Sequence, residues 1–324
     1  MYKEIIDDIY QIKIPLPKNP LKELNSYFIK GKERNLIIDT GFNRPECKEA
    51  LFGALGKLEV DLTKTDVFIT HLHADHSGLA YALQNKNTKI YASKLDGTLI
   101  NSMTDKDYWN KFDELNDYMG LLGAEKLHFE LHPGYRFKMD GKINFTFLKE
   151  NNILNIGDYT FKVIEIPGHT PGQIGLYEEN RKIFFCGDHI LDSITPNISF
   201  WGFEFDILGI YFENLKKVRN MDINYLMTAH RNIIRDHKER IDKLLYHHEQ
   251  RLNEVKSILR LNWKTAYETA AEMTWDLTYK SFEDFPTPQK WFASSEALSH
   301  IEHLVYTGKV DKEKVNGTFK YHLK

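Results

Sequence analysis

The sequence is poor in cysteine, has no long apolar run and carries no large excess of charge of one sign. Its 324 residues contain two cysteines, Cys47 and Cys186, which are too few for a disulfide framework and suit a reducing compartment. No stretch approaches the roughly 18 uncharged apolar residues of a membrane span, and Met1 to Asp8 lack the apolar core of a signal peptide. The net charge of −3 gives no basic field that would attract nucleic acid or anionic lipid. We therefore expect a folded cytoplasmic protein without a membrane partner.

Strands and helices are predicted to alternate along the first two-thirds of the chain. Short apolar or alternating runs are typical of strands, and they occur at 9–14, 26–30, 34–39, 66–70, 89–92, 143–148, 159–166, 174–177, 183–186 and 225–228. Apolar residues that recur on one face predict helices at about 77–83 and 207–219, and a first helix with Asn43 as its N-cap. This alternation favours an α/β fold.

Two segments depart from this pattern. Residues 93–124 are polar and aromatic, with Trp109 and Phe112 at helical spacing, which predicts either plain core packing or an insertion that caps the substrate or forms a homodimer contact. Beyond 235 we predict a long charged helix, further helices interrupted at Pro286 and Pro288, and a closing hairpin. The sequence therefore divides into a catalytic domain, 1–235, and a helical domain, 236–324.

Histidine is abundant and locally concentrated, since the chain has 14 histidines and three of them lie in the run His71-Leu72-His73-Ala74-Asp75-His76. In an extended loop, the side chains of residues two apart point the same way. His71 and His73 can therefore bind one cation while Asp75 and His76 face a second. Imidazole and carboxylate ligands suit Zn²⁺, with Fe²⁺ and Mn²⁺ as alternatives.

Three further residues of ligand type follow predicted strands: His169 in Pro167–Gly172, Asp188 after the strand ending at Cys186, and His230 after the strand ending at Thr228. Strand ends are rigid mounts for a site. Together these residues supply what the first cluster lacks, because one metal can take three neutral nitrogens, a second can take Asp75 and two histidines, and a carboxylate can bridge both.

These residues resemble the HxHxDH signature and the later ligands of the metallo-β-lactamase-fold hydrolases. The resemblance implies an αβ/βα sandwich over about residues 5–235. It also implies a first metal on His71, His73 and His169. The second metal would be held by Asp75, His76 and His230, with Asp188 bridging the two. Asp39, in the family's first motif, is implied to orient the ligand loop from outside it, with the capping of a turn as the alternative role.

Two metals about 3.5–4 Å apart can hold a bridging water and lower its pKa toward neutrality, which yields a hydroxide nucleophile. Asp75 would both ligate a metal and orient that hydroxide, so it is the candidate catalytic residue. We accordingly predict a dinuclear metal-dependent hydrolase. Persulfide dioxygenases keep a similar motif with a single iron, so an iron-dependent oxidoreductase is a lesser alternative.

The segment from His230 into the long helix with His247 and His248 resembles the glyoxalase II and β-lactamase-like protein 2 branch. In the latter, a winged-helix-like domain follows the catalytic one, and residues 264–324 suit three helices and a hairpin wing. Some members cut single-stranded RNA, which makes a metal-dependent endoribonuclease or phosphodiesterase the main alternative. Residues 236–324 contain 14 Lys+Arg and 14 Asp+Glu, and this balance argues against nucleic acid as a partner.

Bulky side chains near the predicted site favour an organic acyl substrate. Phe200 and Trp201 follow Asp188 in a loop, and either they line the substrate pocket with His189 or they pack in the core. If they line the pocket, a small-molecule thioester or ester with an apolar acyl part fits better than a bare phosphodiester.

Overall fold

The computed structural model describes residues 1–276 and 279–324. Its strands are β1 (Tyr2–Ile6), β2 (Ile9–Pro15), β3 (Glu23–Ile29), β4 (Asn35–Ile38), β5 (Thr65–Phe68), β6 (Ile90–Ser93), β7 (Thr146–Leu148), β8 (Ile153–Ile156), β9 (Tyr159–Glu165), β10 (Ile174–Glu178), β11 (Ile183–Gly187), β12 (Tyr225–Thr228), β13 (Val310–Val315) and β14 (Thr318–Leu323). Its α-helices are α1 (Pro45–Lys57), α2 (Ala74–Ser77), α3 (Ala80–Leu83), α4 (Lys94–Ser102), α5 (Lys106–Trp109), α6 (Phe112–Met119), α7 (Pro133–Arg136), α8 (Ile207–Arg219), α9 (His237–Ile258), α10 (Ala266–Glu272) and α11 (Thr287–Tyr306).

Two mixed sheets form the centre of the molecule. The first has seven strands in the order β1-β2-β3-β4-β5-β6-β7, and the second has five in the order β12-β11-β10-β9-β8. In the first sheet β1 to β4 are antiparallel neighbours and β4 to β7 are parallel. In the second, the β11–β12 pair is parallel and the others are antiparallel. The parallel pairs are joined through helices, as such connections require.

The two sheets face each other across a shared apolar layer. Ile29 and Phe68 of the first sheet lie in one hydrophobic cluster with Phe161, Leu176 and Phe185 of the second. Strand β9 contributes one of its faces to this layer. Its side chains alternate between buried and exposed from Tyr159 to Val163, because successive side chains of a strand point to opposite faces of the sheet.

The outer face of each sheet is covered by helices. On the first sheet, Ile37 and Val67 pack in a cluster with Leu51 and Leu55 of α1. The outer face of the second sheet is covered by α8 and the start of α9, whose apolar residues share a cluster with Phe184. The resulting order of helix, sheet, sheet and helix is that of the expected αβ/βα sandwich.

Two local predictions about helix ends are wrong. Arg44 occupies the N-cap position of α1, while the side-chain amide of Asn43 donates to Lys138 O and Asp140 Oδ1 instead. Pro288 does not interrupt a helix, because it lies in the first turn of α11, where a missing N–H costs no intrahelical hydrogen bond.

The insertion and the C-terminal segment share a hydrophobic cluster. Met119 and Leu121 of the insertion lie in it with Leu298 and Ile301 of α11, and Phe112 stacks on Trp291 with ring centroids 5.0 Å apart. The aromatic stripe of the insertion is therefore largely core.

The predicted elements of the C-terminal segment are present. Helices α9, α10 and α11 precede the β13–β14 hairpin, in which Val315 pairs with Thr318 across a two-residue turn. Asn316 and Gly317 adopt φ of 50° and 91°, as such a turn demands. The domain boundary near residue 235 stays a prediction, since α9 also packs on the second sheet.

Across the described ranges, 1–276 and 279–324, no helix has both the length and the apolar character that crossing a membrane requires.

Candidate metal centre

Seven side chains of ligand type converge where strands of both sheets end. Residues 71–76 follow β5 and run into α2, whereas His169, Asp188 and His230 follow β9, β11 and β12. They form three groups, His71/His73/His169, His71/His76/Asp188 and Asp75/His76/His230, in each of which the ligand atoms lie within 4.8 Å of one another. The fold thus brings together all seven residues that the sequence proposed as metal ligands.

The first group consists of three histidine nitrogens that face a common point. His73 Nδ1 lies 3.1 Å from His71 Nε2 and 3.0 Å from His169 Nε2. A tetrahedral zinc ion with Zn–N bonds of 2.0–2.1 Å separates its nitrogens by about 3.3 Å. The spacing of these nitrogens is therefore close to that of a zinc site.

The other two groups combine histidines with carboxylates. His230 Nε2 lies 3.3 Å from Asp75 Oδ2 and 3.4 Å from Asp188 Oδ2. Asp188 Oδ2 also lies 3.6 Å from His76 Nε2 and 3.8 Å from His169 Nε2. Asp188 is thus near a nitrogen of the three-histidine group and near nitrogens of the group that contains His230, which is the position that a bridging carboxylate needs.

Unsatisfied atoms show that this donor set fits a cation. His76 Nε2, His230 Nε2 and Asp188 Oδ1 are buried and have no hydrogen-bond partner among residues 1–276 and 279–324. Buried polar atoms are almost always paired, and each orphan calls for an explanation such as a bound ion. The orphaned atoms belong to three of the seven converging side chains, and a divalent metal bound among them would satisfy all three.

Hydrogen bonds outside the centre fix which nitrogen faces inward for three of the five histidine rings. His76 Nδ1 donates to Asp39 Oδ2 at 2.7 Å, His169 Nδ1 to Asn197 O at 2.8 Å and His230 Nδ1 to Glu23 O at 2.7 Å. Since carbonyl and carboxylate oxygens accept only, Nδ1 of these three rings carries a hydrogen, and Nε2 is the nitrogen that faces the centre.

Asp39 braces the ligand loop from the first sheet. Its carboxylate also accepts hydrogen bonds from the Thr70 amide at 2.9 Å and from the Thr70 hydroxyl at 2.8 Å. Its φ of 59° is left-handed, a region that aspartate tolerates better than most residues. This placement suits the orienting role that the family resemblance implied for Asp39.

Asp96, which the sequence reasoning missed, connects the two histidine loops. Its buried carboxylate accepts from the Leu72 amide at 2.9 Å, the Thr170 hydroxyl at 2.6 Å and the Gly172 amide at 2.8 Å. Burial raises the pKa of Asp96 to about 6, although these hydrogen bonds oppose the shift. A local signal existed in Ser93-x-x-Asp96 at a strand end, a capping pattern, but its partners are remote in sequence.

The electrostatics differ between the three-histidine group and the group that contains His230. Burial lowers the pKa of His73 to about 3 and holds that of His71 well below its ordinary value. Burial also disfavours a charged His230, but the attraction of Asp188 and Asp75 outweighs it and raises the pKa of His230 to about 10. One group therefore offers neutral nitrogens, and the other stabilises positive charge.

The three residues proposed to line the substrate pocket have different surroundings. The Trp201 ring lies 6.2 Å from the His73 ring, and its indole N–H donates to His169 O at 3.3 Å. Phe200 is buried among residues of the insertion and α11. His189 is completely buried, with its ring 5.1 Å from that of Tyr211. Trp201 is thus the one of the three that lies against the metal-ligand candidates, while Phe200 and His189 have core surroundings.

Comparison with known proteins agrees with this geometry. The model of the metallo-beta-lactamase superfamily matches residues 22–230. The chain belongs to the metallo-β-lactamase superfamily. Its buried His/Asp clusters are typical of the dimetal site of that superfamily, and its two mixed sheets are those of the metallo-β-lactamase fold. The family predicted from the signature is therefore confirmed.

The relatives have low sequence identity to this chain, but the alignments with the human and Caenorhabditis elegans proteins cover more than half of it. The human acyl-coenzyme A thioesterase MBLAC2 is 26% identical over 178 residues, covering 52% of this chain and 58% of that protein. The alignment therefore spans less than two-thirds of the human relative. A beta-lactamase-like protein 2 homolog of Caenorhabditis elegans is 24% identical over 93% of this chain and 84% of its own length. Homologues also include a hydroxyacylglutathione hydrolase.

A solved structure resembles this one over nearly its whole length. The metallo-beta-lactamase family protein TTHA1429 from Thermus thermophilus superposes with a TM-score of 0.84 and 21% identity. The superposition covers 99% of this chain and 100% of that one. At this identity the likeness establishes the fold.

Proposed function

We propose that the protein is a dinuclear metal-dependent hydrolase that cleaves a thioester or ester of a small organic acyl substrate. The observation that carries the proposal is the convergence of seven buried or half-buried ligand-type side chains at the strand ends, with orphaned His76 Nε2, His230 Nε2 and Asp188 Oδ1 among them. The superfamily match over residues 22–230 supports hydrolase chemistry.

Two divalent ions, which we propose to be zinc, would supply an activated water and polarise the scissile carbonyl. His71, His73 and His169 would hold the first ion, Asp75, His76 and His230 the second, and Asp188 would contact both. Fe²⁺ and Mn²⁺ are the alternatives for this donor set.

The protein's own residues would position the reactants. Asp75 Oδ2 lies 3.3 Å from His230 Nε2, and the Asp75 carboxylate would orient the attacking water and accept its proton. Trp201, beside His73, would cover one side of the pocket with an apolar surface that suits an acyl group. Asp39 and Asp96 would keep the ligand loops in place while the charge of the reacting groups changes.

The thioester preference rests on three supports. The first is Trp201 at the site, and the second is the printed activity of the human relative, an acyl-coenzyme A thioesterase. The third is the charge balance of residues 236–324, which have 14 basic and 14 acidic side chains and so carry no net positive charge that would attract a polyanion. A winged-helix-like classification of that segment, a homodimer and a cytoplasmic location remain predictions.

The test is a substrate panel on purified protein loaded in turn with Zn²⁺, Mn²⁺ and Fe²⁺. The panel contains acyl thioesters, aryl esters, phosphodiesters and single-stranded RNA. We expect thioester hydrolysis that chelation abolishes and metal restores. His230→Ala should lose activity, whereas His128→Ala, a variant of an exposed histidine, should keep it.

Other outcomes would redirect the assignment. Salt-sensitive binding and cleavage of RNA would favour the phosphodiesterase alternative. Oxygen-dependent consumption of a persulfide by the iron-loaded protein would favour the oxidoreductase. Negligible bound metal together with no hydrolysis of any panel member would refute the hydrolase proposal.

A further inference from the structure

One loop lies between the metal centre and the C-terminal helix α11. It runs from Asp188 to Asp206, between β11 and α8, and the carbonyl of Asn197 in it accepts the His169 Nδ1 hydrogen bond at 2.8 Å. The position of this carbonyl therefore sets how far, and at what angle, His169 Nε2 faces the other histidines.

Glu296 of α11 holds Asn197 in place. The Asn197 side-chain amide donates to Glu296 Oε2 at 2.5 Å, and the Ser199 hydroxyl donates to Asn197 Oδ1 at 2.5 Å. Glu296 is 8% exposed, so this hydrogen bond is screened little by water. The side chain of Asn197 is thus bonded on both sides, and its backbone carbonyl has little freedom to move.

Ser295, which precedes Glu296, bonds to the same loop at a second point. The Phe200 amide donates to Ser295 Oγ at 2.9 Å. Trp201 follows immediately and returns a hydrogen bond from its indole N–H to His169 O at 3.3 Å. Loop and ligand are therefore tied together at two points, and α11 supports both.

We propose that Glu296 is a positioning residue for the metal centre, acting through Asn197 on His169. This inference rests on the proposed function for the assignment of His169 as a metal ligand. It gives the C-terminal segment a task in the site although that segment contributes none of the seven ligands. Groups that orient metal-ligating histidines commonly change metal affinity or activity 10- to 100-fold when they are removed.

The first experiment measures Zn²⁺ affinity by competition with a chromophoric chelator. Glu296→Ala and Asn197→Ala should each weaken the binding of one of the two zinc equivalents by about 10- to 100-fold. Glu296→Gln retains an acceptor for the Asn197 amide and should restore affinity to near that of the wild type. Ser299→Ala is the matched control, because Ser299 is also buried in α11 and its hydroxyl bonds within the helix to Ser295 O.

A double-mutant cycle distinguishes action through Asn197 from a general loss of packing. If Glu296 acts through Asn197, the double variant should be no worse than the more damaged single variant. Additive losses, or wild-type affinity in Glu296→Ala, would overturn the proposal. If Glu296→Ala does not fold, Asn197→Ala and Glu296→Gln decide, and the proposal fails unless the first loses affinity and the second keeps it.

A second readout needs neither metal nor substrate. In the metal-free wild type, nitrogen-15 NMR should show His169 with its hydrogen on Nδ1, and Asn197→Ala should shift this tautomer equilibrium. An unchanged His169 signal in Asn197→Ala would contradict the proposal. Inactivity of the zinc-loaded wild type toward thioesters and esters, with the Zn²⁺ affinities as expected above, would by contrast refute the proposed substrate and leave this inference standing.

Discussion

The buried carboxyl of Glu296 makes the stability of the protein depend on pH in a way that one substitution can isolate. Burial raises the pKa of Glu296 from its ordinary 4.5 to about 7, although Arg251 of α9 and the Asn197 amide oppose the shift. Between about pH 4.5 and pH 7 the folded chain therefore binds more protons at this site than the unfolded chain. Stability contributed at Glu296 is full below this window and falls as pH rises through it.

The size of the effect follows from the shift. Each pH unit corresponds to about 1.4 kcal/mol per proton. Between pH 5 and pH 8 the chain passes through about two units of this window, so the free energy of unfolding falls by about 3 kcal/mol. Glu296→Gln cannot ionise and escapes this loss. Other groups near Glu296, among them Arg251 and Tyr211, are present in both proteins and cancel in the comparison.

The assay is urea unfolding of the wild type and of Glu296→Gln in a metal chelator at pH 5 and pH 8. The difference in the free energy of unfolding between the two proteins should move by about 3 kcal/mol in favour of the glutamine variant on going to pH 8. A difference that is the same at both pH values would refute the reasoning that burial raises the pKa of this carboxyl.

Three further predictions concern the site and the core. Asp39→Asn keeps the left-handed backbone accessible but removes the charge that orients a site histidine, so we expect Zn²⁺ affinity to fall about 10- to 100-fold in a chelator competition, and unchanged affinity would contradict that role. Phe161→Ala empties the layer between the sheets, where this ring is fully buried, and should cost about 3–5 kcal/mol in urea unfolding. Phe147→Ala, at a half-exposed position, should cost far less, and equal losses would argue against the inter-sheet core. Gly168→Ala would place a Cβ 2.7 Å from the Tyr211 backbone at a φ of +142°, and we expect a lower melting temperature and weaker metal binding, which normal values of both would disprove.

Much of the site was accessible from local sequence because its ligands stand next to strands. The spacing of His71, His73 and Asp75 is a property of one extended loop, and the alternation of apolar residues located the strands that precede His169 and His230 within a few residues. Periodicity and residue spacing describe the backbone over a few residues. That range was enough to locate these ligand candidates.

Residues whose partners are far along the chain were not accessible in this way. Asp96 bonds to groups 24, 74 and 76 residues away, and Glu296 to one 99 residues away. The Asn43 side chain donates to Lys138 and Asp140 rather than capping α1, and Arg44 takes the N-cap position. None of these contacts leaves a period in the sequence.

Order along the chain was therefore sufficient to determine the family, the α/β class and the seven side chains that converge on a metal centre. The packing of the two sheets decided how those side chains meet, above all that Asp188 lies within 3.8 Å of nitrogens from both groups. Packing also decided that α11 reaches the loop behind His169. The physical reason is the separation along the chain over which each interaction acts. Local backbone conformation is set by neighbouring residues, whereas a shared metal centre depends on distant loops that burial of the apolar layer between the sheets brings together.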